Sequence, residues 1–212
     1  MPEINEFGQQ VNDRVPDWQG AQLLRRVALN GHFCRLVPLD AARHAGDLFD
    51  AYASGDDSDW TWLASSKPES LDATVRWLTG KVMDDALVPY AVICLQTERA
   101  VGIVSYMAID QSMGTVEIGH VTWPRKMKAT PQGTEAVWLL LKNGFANGYR
   151  RLEWKCDSMN LASRRAAERL GFSWEGRLRH KIVRKGRTRD SDILSIINDE
   201  WSDRDAVLRR WL

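Results

Sequence analysis

The sequence predicts a mixed α+β fold in which helices flank a central, mostly antiparallel sheet. The main observation is the stretch 115–172, where an apolar run leads through a basic loop into a helix pattern, followed by a second strand and a second helix. Strand, helix and strand in this order indicate a parallel βαβ crossover. Two pairs of apolar runs are joined by short turns, as is typical of antiparallel hairpins. These pairs are 89–96 with 101–109, and 172–183 with 188–197.

The composition is that of an ordinary globular protein. Of 212 residues, 44% are hydrophobic and 27% are charged, and the formal net charge is +1. No global field therefore favours nucleic acid or an anionic membrane. No apolar run approaches the roughly 18 residues of a membrane span, and the N-terminus lacks a signal pattern. We expect a cytoplasmic protein with no nucleic-acid or membrane partner.

The cysteine and histidine pattern argues against structural cross-links. The cysteines are odd in number and lie in strand-like apolar contexts, at Cys34, Cys94 and Cys156. Buried free thiols are therefore favoured over a disulfide pair. No His/Cys cluster has metal-ligand spacing, so no metal is expected.

The first half of the chain is expected to supply a strand and two helices before the first hairpin. The strand covers 32–39, and Asp40 is placed to cap a helix that runs to about residue 54. Pro68 is expected to open the second helix, which carries apolar residues at helical spacing to about residue 83.

The second half has clearer boundaries. Pro131 suits the start of a helix over 131–147, and Asn160 and Gly171 are a cap and a left-handed stop for a helix over 160–170. The remaining elements are strands at 116–123 and 152–156 and a short amphipathic helix at 200–212.

The chain shows no internal repeat or linker, which favours one domain. The predicted parts are an N-terminal extension (1–30), the main domain (31–198) and a C-terminal helix that packs on it (199–212).

Four segments carry a resemblance to a known family: VEIGHV (116–121), GTEA (133–136), WKCDSMN (154–160) and NLASRRAAERLGFSWEG (160–176). With the order of elements, they resemble the GCN5-related N-acetyltransferase (GNAT) superfamily, and within it the RimJ/RimL type of ribosomal-protein N-terminal acetyltransferase. The resemblance implies a seven-stranded sheet splayed between its fourth and fifth strands. It also implies acetyl-CoA as co-substrate and an amine acceptor.

The resemblance places a pyrophosphate loop before the helix at 131–147. The family pattern Arg/Gln-x-x-Gly-x-Gly/Ala corresponds here to Lys128, Ala129, Thr130, Pro131, Gln132 and Gly133, so a proline replaces the first glycine. Proline removes one backbone donor. The other N–H groups, with Lys128 and the hydroxyls of Thr130 and Thr134, are the expected phosphate ligands. The alternative is a plain turn with solvated lysines.

Gly119, inside an apolar strand, predicts a bulge or a close backbone approach. The resemblance implies that the backbone of His120, Val121, Thr122 and Trp123 pairs with the pantetheine arm, and that an N–H near Val121 meets the thioester oxygen. Asn160 is expected to anchor the pantetheine or the helix start. A bulge that only relieves strand twist is the alternative.

Transfer of an acyl group from a thioester to an amine needs a neutral amine, an oxyanion donor and a protonated leaving thiolate. Glu117 is the candidate general base, with an exposed strand carboxylate as the alternative. Ser163 matches the serine that follows the capping asparagine in the RimL pattern, and is a candidate proton donor to the thiolate; backbone capping is the alternative.

The sequence departs from the family at two positions. Ile182 stands where RimL-type enzymes place a glutamate, and Ala167 where many superfamily members place a tyrosine. His120 and His180 are spare base candidates. Cys156 is interpreted as lining the cleft, since amine acylation needs no covalent enzyme intermediate.

The acceptor is expected at the loop between the first two helices, where Asp56 would attract a cationic amine and Trp60 would hold it by a cation–π contact. A solvated acidic loop is the alternative. The basic segment 177–189 is a further candidate for an acidic acceptor, an acyl carboxylate or a partner chain, with a solvated face as the default.

We therefore predict an acetyl-CoA-dependent N-acetyltransferase that acylates a primary amine, either a protein N-terminus or a small amine, in a ternary complex. The alternatives are a succinyl-CoA-using N-acyltransferase and a non-catalytic acyl-CoA-binding or protein-interaction module. Apolar residues in the tail also predict a homodimer.

Overall fold

The computed structural model of the chain describes residues 3–212. Its regular elements are β1 (Glu3–Ile4), β2 (Gln10–Val11), β3 (Leu29–Asn30), β4 (Cys34–Pro38), α1 (Ala41–Ala53), α2 (Leu71–Val82), β5 (Val88–Cys94), β6 (Ala100–Asp110), β7 (Thr115–Thr122), α3 (Pro131–Ala146), β8 (Arg151–Asp157), α4 (Leu161–Arg169), β9 (Ser173–Arg184), β10 (Arg187–Ile197) and α5 (Asn198–Leu208). None of the helices in this part of the chain is long and apolar enough to cross a membrane.

One sheet organises the fold, with the strand order β3-β4-β5-β6-β7-β8-β10-β9. Every neighbouring pair is antiparallel except β7 with β8. That parallel pair joins only Thr115–Glu117 to Arg151–Glu153, although both strands continue beyond these residues. The predicted mixed fold, with its sheet splayed between β7 and β8, is therefore confirmed.

The sheet has eight strands, one more than predicted. The extra strand, β3, is a two-residue edge strand in which Leu29 faces Leu36 of β4. It lies in a polar segment without a strand pattern. Glu135 of α3, which is far away in the sequence, holds this segment in place by accepting hydrogen bonds from the backbone next to β3.

Helices cover both faces of the sheet. Successive side chains of a strand point to opposite faces, so each strand contributes to two cores. Tyr90 and Tyr106 lie in the core with Leu140 of α3. Ala91 and Ile103, which face each other across β5 and β6, lie in the second core, which α1 and α2 complete.

Two helix starts differ from the prediction. Helix α2 begins at Leu71 and not at Pro68, because the hydroxyl of Ser70 caps it by accepting a hydrogen bond from the Ala73 N–H at 3.1 Å. Helix α5 begins at Asn198, where Glu200 reaches back to the Ile197 N–H.

The terminal segments both pack on the main domain. Trp18 donates its indole N–H to the Ser112 carbonyl at 2.7 Å. At the other end, Trp201 of α5 stacks on Phe145 of α3, with ring centroids 4.9 Å apart. Leu208 is also buried, so part of the apolar tail is used within the chain.

Candidate active site

The bulge predicted at Gly119 is present in β7. Ser105 of β6 faces Gly119 and Ile103 faces Thr122, so β7 carries one extra residue between these pairs. His120 occupies the left-handed region with φ +50°. A Cβ on Gly119 would collide with the Met107 side chain and would lie 3.4 Å from Glu117 Oε1. A larger residue at position 119 would therefore have to displace the Met107 side chain. The bulge lies just beyond the last residue of β7 that pairs with β8.

The backbone of β7 beyond the bulge borders the split in the sheet. Its pairing with β8 ends at Glu117, which leaves this edge open toward the cleft. The Thr122 carbonyl accepts a hydrogen bond from the Tyr52 hydroxyl at 3.1 Å. Trp123 packs against Gly102, which has no room for a side chain beneath the indole.

Glu117 is buried at the apex of the split, with 7% of its surface exposed, so it is not the exposed strand carboxylate of the alternative reading. Lys155 Nζ lies 3.1 Å from Glu117 Oε2 and 2.6 Å from Glu153 Oε2. Burial raises the pKa of Glu117, and the charge of Lys155 opposes that rise. The arrangement holds one carboxylate oxygen on Lys155 and directs the other toward Gly119.

The start of α4 lies on the opposite side of the split. Asn160 Oδ1 accepts the Ser163 N–H at 3.1 Å, and Ser163 Oγ accepts the Trp154 indole N–H at 3.0 Å. Ser163 is therefore both a capped residue and a hydroxyl whose proton is still available to donate. Cys156 is buried nearby, and burial, with the Asp192 charge, raises its pKa to about 11. A thiol with that pKa suits a lining role.

The loop before α3 offers fewer donors than the family pattern implies. Thr130 caps α3, and its Oγ1 accepts the Gly133 N–H at 3.3 Å. The Thr134 N–H bonds to the Thr130 carbonyl, and the Thr134 hydroxyl accepts from Arg169. Thr134 is only 4% exposed, so the structure places its hydroxyl behind the loop and not at the loop surface. Gln132 follows Pro131 at the exposed helix start, and Ala129 has φ +58°.

Lys128 and Asp56, predicted for different substrates, lie in one charge cluster. Lys128 Nζ is 2.7 Å from Asp59 Oδ1, and Arg125 bridges Asp59 and Asp56 at 2.8 Å each. Hydrogen bonds from Ser58 and Arg125 lower the pKa of Asp56 to about 2. The acidic loop therefore packs against the basic loop before α3, and Arg125, which the sequence did not single out, joins them.

Trp60 is a wall of the second core and not an open aromatic surface. It is 3% exposed and makes edge contacts with Tyr52 and Trp77, each with ring centroids 5.3 Å apart. One of its sides borders a cavity of about 270 Å³ that also touches His120 and Thr122 of β7. The predicted acceptor residue thus lies beside the bulge.

The cavity contains a pair of nitrogen bases, of which the sequence indicated His120 as a spare base candidate and gave no sign of Lys81. Lys81 Nζ lies 3.0 Å from His120 Nδ1. Burial, together with the Lys81 charge, lowers the pKa of His120 to about 4, and burial lowers that of Lys81 to about 8. His120 is therefore neutral at pH 7. Lys81 lies in α2 on the same helical row as Trp77 and Leu78, a spacing that marks the side of the helix facing the sheet.

The tip of the β9–β10 hairpin closes over the loop that carries Trp60. Lys185 Nζ donates to the carbonyls of Trp60 at 2.8 Å and Ser65 at 3.2 Å, and Arg184 donates to the Trp62 carbonyl at 3.4 Å. This part of the basic segment is therefore engaged within the chain and is not simply a solvated face. His180, on the same hairpin, is exposed.

The candidate site therefore combines a splayed sheet, a bulged strand at the split and a capped helix start beyond it. A family model described as "Acetyltransferase (GNAT) domain" matches residues 34–173. The chain belongs to this family. In the part of the chain that the structure describes, no group of three or more His, Cys, Asp or Glu residues is arranged to hold a metal ion.

Individual relatives agree with the family. The chain is 30% identical over 114 residues to an uncharacterized N-acetyltransferase p20 of Bacillus licheniformis, covering 53% of this chain and 64% of that protein, less than two thirds of its length. The crystal structure of a GCN5-related N-acetyltransferase from Brucella melitensis has a TM-score of 0.89 at 34% identity, covering 93% of this chain and 90% of that one. A GNAT-family structure from Chromobacterium violaceum has a TM-score of 0.85 at 40% identity, covering 91% and 96%.

The RimL-type likeness extends to the fold. The structure of RimL, a ribosomal L7/L12 alpha-N-protein acetyltransferase, has a TM-score of 0.68 and 20% identity, covering 81% of this chain and 94% of that one. At this identity the comparison supports the shared fold and leaves the acceptor open.

Proposed function

We propose that the protein transfers an acetyl group from acetyl-CoA to a primary amine by direct attack within a ternary complex. The observation that carries the proposal is the geometry of the split. Glu117 lies at its apex beside the bulge, and Ser163 lies on its other side. In this proposal the thioester lies between the separated strands, where Glu117 meets it from β7 and Ser163 meets it from the start of α4.

The side chains and backbone have separate parts in this proposal. Glu117 Oε1 takes a proton from the attacking amine, directly or through a water. The N–H near Val121 donates to the oxyanion that forms as the new C–N bond closes. The C–S bond then breaks, and Ser163 donates its hydroxyl proton to the thiolate of CoA. Proton exchange with solvent returns both side chains to their starting forms.

The residues around the cleft suit the co-substrate, and the phosphate loop sets its affinity. The open edge of β7 at His120–Trp123 and the amide of Asn160 suit the pantetheine arm. Lys128 and the N–H groups around Gln132 suit the pyrophosphate. Because Pro131 lacks an N–H and Lys128 is paired with Asp59, we expect binding in the micromolar range and not tighter.

The acceptor is proposed to enter the cavity beside His120. Its volume of about 270 Å³ and its tryptophan walls suit a small amine or the first residue of a protein N-terminus. Asp56 is held by Arg125, so in this proposal it orders the loop while Trp60 shapes the cavity.

Titration calorimetry tests the proposal most directly. Acetyl-CoA should bind with a free energy of about −8 kcal/mol. Ser163→Ala should bind it equally well and turn over at least about tenfold more slowly, because a positioned proton donor is lost. Ser173→Ala, at the far end of β9, is the matched control and should behave as wild type.

Two results would redirect the proposal. Tighter binding of succinyl-CoA than of acetyl-CoA would favour the succinyl donor. No binding of acetyl-CoA, succinyl-CoA or free CoA would favour a non-catalytic interaction module, for which Pro131 is the supporting feature.

A homodimer and a cytoplasmic location complete the proposal. Val207, near the end of α5, and Trp211, just beyond it, remain 49% and 65% exposed, which is the kind of apolar surface that a partner copy would cover. Light scattering should therefore give about twice the 24.2 kDa chain mass. Trp211→Ser should lower the measured mass toward that of a single chain. A monomer mass for the wild type would end this part of the proposal.

A further inference from the structure

Arg189 of β10 is a buried cation without a partner. Its residue is 8% exposed, and its Nε makes no hydrogen bond. Within residues 3–212, no hydrogen bond or ion pair is found for the rest of its guanidinium either. A largely buried cation without a direct hydrogen-bonding partner is unfavourable, so this position favours an anion that can pair with it.

The register places Arg189 on the face of the sheet that carries Glu117. Glu117 pairs with Glu153 across β7 and β8, and Lys155 lies opposite Ile193 of β10. Strand residues two apart share a face, so Arg189 lies on the same face as these side chains. Burial raises the pKa of Glu117, and the charge of Arg189 is among those that oppose the rise.

A second orphaned donor lies beside it. Ser191 is 2% exposed, and its Oγ has no hydrogen-bond partner. Arg189 pairs with Ile182 of β9, and Ser191 pairs with Leu178. The extra residues of this bulge therefore lie in β9. Strand β10 thus stays regular, and the two side chains share a face.

Nearby carboxylates are already engaged elsewhere. Lys155 holds Glu117, Arg177 holds Asp192 at 2.7 and 3.1 Å, and Asp190 accepts the His180 N–H at 2.7 Å. Asp157 accepts the Met159 N–H. The cross-strand neighbour Ile182 has no charge to offer. None of these carboxylates forms a direct ion pair with Arg189 among the described residues, which leaves its guanidinium open to an anion from outside the chain.

We propose that Arg189, assisted by Ser191, binds a carboxylate carried by one of the two substrates. A guanidinium forms paired hydrogen bonds with a carboxylate, and Ser191 supplies a third donor. The carboxylate belongs either to an acceptor that carries it near the reactive amine or to an acyl-CoA with a terminal carboxylate. The role of this carboxylate as part of a substrate rests on the proposed acyl transfer. Binding of a carboxylate at Arg189 can be tested without it.

Direct binding of a carboxylate is the first arm of the test. Sodium succinate should raise the melting temperature of the wild type relative to sodium chloride at the same sodium concentration. Arg189→Gln should lose that rise, whereas Arg187→Gln, an exposed position two residues earlier on β10, should keep it. This arm needs neither CoA nor turnover, so its outcome is separate from that of the proposed function.

The second arm distinguishes the two sources by following thiol release. If the donor carries the carboxylate, succinyl-CoA should exceed acetyl-CoA in kcat/KM at least about tenfold in the wild type. If the acceptor carries it, α-amino acids should exceed their amides by a similar factor with acetyl-CoA. Arg189→Gln should abolish whichever preference is found, and Arg189→Lys should restore part of it.

A purely structural role for Arg189 predicts different results. Arg189→Gln would then lower the melting temperature without ligand more than Arg187→Gln does, and would leave the succinate response and the substrate preferences unchanged. That combination, or the absence of a succinate response and of any carboxylate preference in the wild type, would overturn the inference.

Discussion

Glu117→Gln should lower kcat/KM by about 10²–10⁴-fold, the contribution of a positioned general base. Glutamine keeps the shape of the side chain at the apex of the split but cannot take a proton from the amine. Because Glu117 lies at the start of the cleft and not at the phosphate loop, the affinity for acetyl-CoA should stay the same. Initial rates by thiol release and titration calorimetry measure the two quantities.

The matched control for Glu117 is Glu153→Gln. Glu153 faces Glu117 across the two strands and also holds Lys155, so both variants remove one of the two carboxylates around that ammonium. Only Glu117 lies beside the bulge, and we expect Glu153→Gln to retain activity within about tenfold. Equal losses in the two variants would show that the charge around Lys155 matters and that neither carboxylate is the base.

The pH dependence gives Glu117 a separate signature. The group must be ionised to accept a proton, and burial raises its pKa above the ordinary range of a glutamate. Activity should therefore fall as the pH drops through this raised pKa, at a higher pH than for an exposed glutamate. In Glu117→Gln this acid limb should disappear from the profile of kcat/KM.

Glu135→Gln should lower the free energy of unfolding by roughly 3 kcal/mol, because one buried and two partly buried backbone donors lose the charged acceptor they share. Glu135 is 1% exposed, and its two oxygens accept the N–H groups of His32, Phe33 and Cys34 at 2.6, 2.7 and 2.8 Å. An amide offers one oxygen in place of two and turns an N–H₂ group toward the remaining donors.

Guanidinium unfolding measures this loss against Glu98→Gln. Glu98 also forms a short ion pair, with Arg35 at 2.6 Å, but its side chain is 60% exposed, so its removal should change stability by less than about 1 kcal/mol. Similar midpoints for the two variants would mean that β3 and β4 stay in place without Glu135.

The parts of the fold that the sequence predicted are those encoded by neighbouring residues. Asp40 and Asn160 cap helices within three residues of themselves, as predicted. Gly119 marked a bulge because a glycine inside an apolar run has a local meaning.

The parts that escaped prediction depend on contacts between distant segments. Glu135 stands in the GTEA segment (133–136) that carries part of the family resemblance, yet its partners lie about 100 positions earlier in the chain. The Lys81–His120 pair joins α2 to β7, and Arg125 meets Asp56 across two loops. Such pairs leave no periodic signal, since each residue alone looks like an ordinary surface charge.

The cluster of Arg125, Lys128 and Asp59 has a consequence for measurements of co-substrate affinity. Any anion that reaches Lys128 has to displace Asp59, and both cations are about half exposed. Added electrolyte weakens the attraction of an incoming pyrophosphate, and it equally weakens the internal pairs that compete for the same cations. Because the two effects oppose each other, the affinity of this loop varies less steeply with ionic strength than its count of positive charges implies.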